Sequence, residues 1–196
     1  MPITKLFTDG STLNNQGAKK GCSYGGYGGY IVFSNGDEQV FSEPLQGEKI
    51  TNQVSELEGL KHGLKIVIPV VPKDLIYVYT DSMYIVNIFT NWIKKWINEN
   101  WIKPDGKPVE NADLIKEIYN LIIESNAKIF YKHVRAHQSE PSNKESPEHR
   151  IWYGNAKADE LAVYSANISK ENSKEIQQLD TEIKKKVRSK NKKNII

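Results

Sequence analysis

The sequence predicts an α/β protein: a mixed five-stranded sheet, three antiparallel strands then two parallel additions, flanked by helices. Three observations carry this prediction. The first 45 residues hold three β-prone runs, with the hairpin dipeptide Asn35-Gly36 between the last two. The apolar period then changes to a helical one at Leu57, Leu60 and Leu64. From there, strand-like and helical stretches alternate, giving the order β-β-β-α-β-α-α-β-α.

Taken in turn, Ile3–Thr8 is short, apolar and β-prone, and the turn signal Asp9-Gly10-Ser11 is expected to end it. Residues 12–21 read as a loop, with Asn14, Asn15, Gly17 and Gly21. The strand through Tyr24–Phe33 carries glycines that point to close backbone approach or bulges. A third strand follows around Glu38–Phe41. Thr51 or Asn52 can cap the helix bearing the three leucines, and Pro69 and Pro72 mark its end. Leu75–Thr80 is nearly all apolar, the pattern of a strand covered on both faces. Helical patterns run from Ser82 to Glu99 and from Asn111 to Ser125, separated by the turn-rich WIKPDGKP. Ala127–Val134 reads as the fifth strand, residues 138–150 as an exposed polar loop, and Gly154–Ser165 as the last helix. Beyond it Ile176, Leu179, Ile183 and Val187 keep helical spacing inside a charged tail. No internal repeat is visible.

The length of 196 residues suits one domain with a tail, and a hydrophobic content of 38% excludes a mainly disordered or collagen-like chain. The single cysteine, Cys22, cannot form an internal bridge, which points to a reducing compartment. No apolar run approaches the roughly 18 residues of a membrane span, and MPITKLFTDG has no signal-peptide core. An intracellular protein, cytoplasmic or nuclear, is expected. Net charge is +3, but residues 181–196 hold seven basic side chains against Glu182, leaving −3 on the remaining 180 residues. An acidic body with a basic tail fits cation collection in one place and polyanion binding in another. A solvated Lys-rich end is the plain alternative.

Three acids fall where such a sheet brings them together: Asp9 after the first strand, Asp81 after the fourth, and Glu56 in the first turns of the intervening helix. Asp159, in the last helix, is a fourth. Packed carboxylates repel one another unless they share a cation, and hard oxygen donors select Mg²⁺ or Mn²⁺. Two such ions about 3.5–4 Å apart clamp a scissile phosphate, activating water on one side and steadying the departing oxygen on the other. Each acid alone is unremarkable, since Asp-Gly-Ser is a common turn. His133 and His137 could suggest zinc, but a strand–loop junction with no nearby cysteine argues against it.

FTDGS at 7–11, TNQVSELEGL at 51–60, YTDSMY at 79–84, VRAH at 134–137 and GNAKADELA at 154–162 occur in this order. The chain resembles type 1 ribonuclease H over residues 3–165, and residues 91–114 resemble that family's substrate-binding extension. The resemblance implies a ribonuclease H-like fold and an endonuclease that cuts the RNA strand of RNA–DNA hybrids, leaving 5′-phosphate and 3′-hydroxyl ends. It implies that Asp9, Glu56, Asp81 and Asp159 bind two Mg²⁺ ions, with Mn²⁺ as substitute, and that His137 assists proton transfer or product departure. It further implies RNA-strand contacts at Gly10, Ser11, Asn52, Gln53 and Met83, where backbone and amide groups read the 2′-hydroxyl. DNA-strand contacts fall at Lys49, Thr51, Tyr84, Trp92 and Asn111, where lysine at 49 replaces the family's usual arginine and loses its bidentate fork. Trp96 and Trp101 read as packing, and Lys94, Lys95, Lys103 and Lys107 make the extension basic.

Two departures stand out. His137 and Asp159 are farther apart than in compact bacterial members, with QSEPSNKESPEHRIWY inserted between them. No separate N-terminal hybrid-binding domain precedes FTDGS, so the basic tail is expected to take that part. The division expected is a catalytic domain at 1–168 and a tail at 169–196, in a monomer. An inactive hybrid-binding module is disfavoured by the four intact acids, and a resolvase- or transposase-type nuclease by the TNQ helix start and the tryptophan-bearing extension. A reverse-transcriptase fragment is disfavoured because no polymerase sequence precedes residue 1.

Overall fold

The computed structural model describes residues 1–13, 24–47 and 50–193, with side chains up to Thr181 apart from Gln177 and Asp180. Strand β1 (Ile3–Leu13) pairs antiparallel with β2 (Tyr24–Val32), and β2 pairs antiparallel with β3 (Glu38–Leu45). On its other side β1 pairs in parallel with β4 (Leu75–Thr80), which pairs in parallel with β5 (Lys128–His133). The order β3-β2-β1-β4-β5 is the mixed sheet the sequence predicts.

Alternation along β1 decides what each face holds. Leu6 packs with Leu57, Leu60, Leu64 and Val67 of α1 (Asn52–Val70), together with Ile31, Ile76, Val78 and two isoleucines of α4 (Ala112–Ser125). Burying each such side chain contributes about 1.5–3 kcal/mol. Phe7, one residue on, turns to the opposite face and packs with Tyr30 and with Ala158 of α5 (Pro147–Lys193). By the same alternation Asp9 and its partner Gly28 lie on the α5 face, and Gly10 on the α1 face. A Cβ at Gly28 would strike Leu161 and Ala162, and one at Gly26 would strike Ser165 and Ala166. The β2 glycines therefore serve close approach, here of α5. The Ser165 and Ser169 hydroxyls then donate to the carbonyls of Tyr27 (3.0 Å) and Leu45 (2.6 Å).

Several expectations are corrected. Strand β1 does not end at Asp9: it runs on to Leu13 because β2 stays paired with it, whereas its ladder with β4 stops at Phe7 opposite Tyr79. β4 is fully covered on one face and only partly on the other. Ile76, Val78 and Thr80 are buried, but Leu75, Tyr77 and Tyr79 are half-buried, because α5 crosses β1, β2 and β3. The helix expected from Ser82 to Glu99 runs unbroken over Met83–Asn98, with its middle turn widened: α2 (Met83–Asn87), a π-helical turn (Ile88–Trp92) and α3 (Ile93–Asn98).

The last helix starts earlier and ends later than predicted. The Ser146 hydroxyl accepts the His149 N–H (3.0 Å) as an N-cap, with Pro147 first in the helix and Glu148 in its first turn. The second half of the insert is thus the start of α5. Among the described side chains, Ser169 is the last that α5 buries; Ile176 and Leu179 are 52% and 59% exposed. That half of the apolar row does not pack on the domain. Asn14, Asn15, Lys49 and the side chains of Ile183, Val187 and the seven basic tail residues lie outside the described residues. Among the described residues, no helix is long and apolar enough to cross a membrane.

Candidate active site

The two central strands, β1 and β4, are parallel, so their C-terminal ends meet at one sheet edge. Asp81 directly follows β4, and Asp9 lies two residues past the final β1–β4 pair, Phe7 with Tyr79. Ligand sites of α/β sheets gather at such strand ends. Glu56 arrives on α1, whose start is set by Thr51: its hydroxyl accepts the Val54 N–H at 3.3 Å. Gly10 admits that helix, because a Cβ there would overlap the Ser55 and Glu56 backbone. Asp159 follows Ala158, the α5 residue that packs on Phe7 and Tyr30.

The acids feel one another. Asp9, 9% exposed, has its pKa pushed from 3.8 up to about 8, first by burial, then by Asp81, with Asp159 and Glu56 adding to it. The Gly10 N–H, donating to its carboxylate at 2.7 Å, opposes the rise. Burial also raises Glu56, and Asp81 adds to that. The Ser82 hydroxyl and the Asn52 amide (2.9 Å) both donate to Glu56 and hold it down. Asp81 is raised by burial and then by Asp159, while His137 and His133 pull it the other way. Among the described residues, no three His, Cys, Asp or Glu side chains close around one point. Asp9 stands within Coulomb range of the other three acids, and Asp81 within range of Glu56 and Asp159, without the described side chains converging on one centre.

A cavity of about 660 Å³ opens beside them, walled by Asp81, Asp159, His133, His137, Tyr79 and Trp152. His137 stands exposed at a left-handed backbone position, φ 50°. Gly10 and Ser11 lie in β1 next to the α1 start that carries Asn52 and Gln53, and Met83, 47% exposed, opens α2 two residues after Asp81. Tyr84 and Asn111 are brought together: the Asn111 amide donates to the Tyr84 hydroxyl at 3.3 Å. Trp92 meets Tyr84 edge-on at 6.3 Å and begins a row with Trp96 and Trp101. Three of the extension's lysines face nearby acids: Lys95–Glu99 (3.8 Å), Lys103–Glu110 (3.7 Å) and Lys107–Asp105 (3.7 Å). Such exposed pairs are worth little and part easily for a phosphate.

Sequence reasoning missed two residues. Ser82, 5% exposed, both donates to Glu56 and caps α2 by accepting the Ile85 N–H (3.3 Å). Its signal was a serine placed just before a helical pattern. Trp152 walls the cavity from inside the insert, and nothing in that polar stretch marks it.

The sheet order and the helices on its faces define an α/β fold of the ribonuclease H-like kind. The RNase H family model matches residues 2–167. Ribonuclease HI of Rickettsia prowazekii (strain Madrid E) is 30% identical over 85% of this chain and 92% of its own length. LC9-RNase H1, a type 1 RNase H with the type 2 active-site motif, superposes with a TM-score of 0.68 at 22% identity, over 86% of this chain and 74% of that one. The foamy viral protease-reverse transcriptase in complex with an RNA/DNA hybrid superposes with a TM-score of 0.65 at 18% identity, over 83% of this chain and 20% of that one. The chain belongs to the RNase H family and is a type 1 ribonuclease H.

Proposed function

We propose that this ribonuclease H hydrolyses the RNA strand of RNA–DNA hybrids, leaving 5′-phosphate and 3′-hydroxyl ends, with Asp9, Glu56, Asp81 and Asp159 holding two Mg²⁺ ions. The observation that carries the reading is the placement of buried Asp9 beside Asp81, Asp159 and Glu56: burial first, and then the repulsion of these neighbours, raises its pKa to about 8. Cations relieve that repulsion, and the donor set is all hard oxygen, which suits Mg²⁺ or Mn²⁺. When bound, such ions supply Lewis acidity to the scissile phosphate and its attacking water.

The chain's own residues divide the remaining work. Ser82 and Asn52 orient the Glu56 carboxylate. Gly10, Ser11, Asn52, Gln53 and Met83 read the RNA strand beside the acids, where a 2′-hydroxyl distinguishes RNA from DNA. Thr51, Tyr84, Trp92 and Asn111, with Lys49, seat the DNA strand. His137 takes or returns a proton at the edge of the cavity, a task worth about 10²–10⁴ in rate. Residues 1–168 form the catalytic unit and 169–196 a basic tail, a division supported by the family match over 2–167 and by the exposure of Ile176 and Leu179, although Ser169 itself still packs on β3. That one chain carries all four acids supports a monomer, and the lone cysteine supports a reducing compartment, cytoplasmic or nuclear.

The test is an end analysis of RNA fragments released from a labelled hybrid. Products that accept a 3′-extending polymerase without phosphatase treatment are expected. Products with 2′,3′-cyclic phosphates would show that the RNA hydroxyl attacks, and would remove the proposed mechanism.

A further inference from the structure

Building on the role proposed for His137, we propose that residues 138–152 form a clasp that presents this histidine to the acids, with Trp152 as its positioning residue. The indole N–H of Trp152 donates to the Gln138 carbonyl at 2.8 Å, fastening the residue that directly follows His137. A second tie closes the same segment, where Glu140 Oε1 meets His149 Nε2 at 3.0 Å. His149 and Trp152 are three apart on α5, so they share one helix face, and their rings lie 5.4 Å apart. The Ser146 cap fixes the turn from which both project.

The clasp is anchored on its other side as well. Ile151 packs against the cluster of Phe7, Tyr30 and Ala158, and Tyr79, two residues before Asp81, packs against the same cluster. A short physical chain thus runs from the sheet through Ile151 and Trp152 to Gln138 and His137. His137 needs such a chain, because its φ of 50° is a conformation that non-glycine residues seldom adopt. Residues at such positions persist where their surroundings over-determine them. Freed from Trp152, the segment has less reason to keep His137 on the wall of the cavity that also holds Asp81 and Asp159.

The test is a double-mutant cycle with Trp152→Phe and His137→Ala, read as kcat and KM on a labelled hybrid. Phenylalanine keeps a six-membered aromatic ring but loses the indole N–H together with the five-membered ring that carries it. Trp152→Phe is expected to lower kcat about 2- to 10-fold, the worth of one hydrogen bond, with KM unchanged. In the His137→Ala background it should lower kcat no further. Amide exchange of residues 137–139, followed in EDTA, should become faster in Trp152→Phe. An equal loss of kcat in both backgrounds, or no loss in either, overturns the clasp. If His137→Ala alone keeps full kcat, the proposed role of His137 falls and the clasp falls with it, a pattern distinct from a slow His137→Ala beside a fast Trp152→Phe. Should Trp152→Phe fail to fold, Glu140→Ala opens the other tie and the same cycle applies.

Discussion

Replacing Asp9 with asparagine should stabilise the metal-free protein while removing its activity. Asp9 is buried, and its pKa rises from 3.8 to about 8 on folding. Between those values the carboxyl is protonated when folded and ionised when unfolded, so folding is opposed increasingly as pH climbs. Over the roughly three pH units from 3.8 to 7 this amounts to about 4 kcal/mol at most, and counterions and side-chain relaxation bring it toward about 2 kcal/mol. Asparagine keeps an oxygen to accept the Gly10 N–H and carries no charge to repel Asp81. For a chain of this size each kcal/mol moves Tm by about 2–4 °C, so Asp9→Asn should melt roughly 4–15 °C higher at pH 7 in EDTA. The gap should close near pH 4, and it should narrow in Mg²⁺, which stabilises the folded wild type by binding it. Circular dichroism melts from pH 4 to 8.5 measure this directly. A variant that melts at or below wild type at pH 8 without metal would refute the electrostatic reasoning.

Other outcomes follow from the same geometry. Asp81→Asn should cut turnover by orders of magnitude and leave hybrid affinity equal or higher, measured by single-turnover kinetics and fluorescence anisotropy, because it removes a proposed ligand and a negative charge beside the phosphate. His137→Ala should slow saturated turnover without abolishing it, by no more than about 10²–10⁴; unchanged turnover across pH 6–9 would assign the proton step elsewhere. Ser82→Ala leaves Glu56 short of a buried donor and α2 short of its cap, which should cost about 2–4 kcal/mol in urea unfolding. Deleting residues 170–196 should weaken hybrid binding and flatten its salt dependence by about 0.9 in log–log slope for each phosphate that the tail neutralises. Its Tm should change little, because Ile176 and Leu179 stand in solvent; a lowered Tm with an unchanged salt slope would make the tail structural.

The parts of the fold legible in the sequence are those ruled by local chemistry. Asn35-Gly36 marks its hairpin because Gly36 takes φ 93°, and the leucine spacing of α1 matches the face it buries. What was not legible depends on a neighbour. Asp-Gly-Ser reads as a turn, yet in β1 it stays extended because β2 remains paired alongside. LIYVYT reads as doubly covered, yet only Ile76, Val78 and Thr80 are buried, since where α5 crosses the sheet is set by the β2 glycines and not by β4. The Ser146-Pro147-Glu148 helix start lay inside a stretch whose polarity suggested a loop. At the site, the end of β4 places Asp81 and the first turns of α1 place Glu56, whereas Asp9 sits within β1 where its ladder with β4 has stopped and Asp159 sits well inside α5. Ser82 is legible as a helix cap but not as the donor to Glu56, and Trp152 not at all, because those tertiary hydrogen bonds are encoded by no periodicity.

The central claim is that four mutually repelling acids in an RNase H fold cut the RNA of a hybrid with the help of shared cations. One measurement reaches it most directly: initial rates on an end-labelled RNA–DNA hybrid, an RNA duplex and a DNA duplex of one sequence, each in Mg²⁺, Mn²⁺ and EDTA. Cleavage of the hybrid's RNA strand in Mg²⁺ or Mn²⁺, abolished by EDTA and absent on duplex DNA, is the expected result. Equal cleavage in EDTA, or efficient cutting of the DNA duplex, would contradict it.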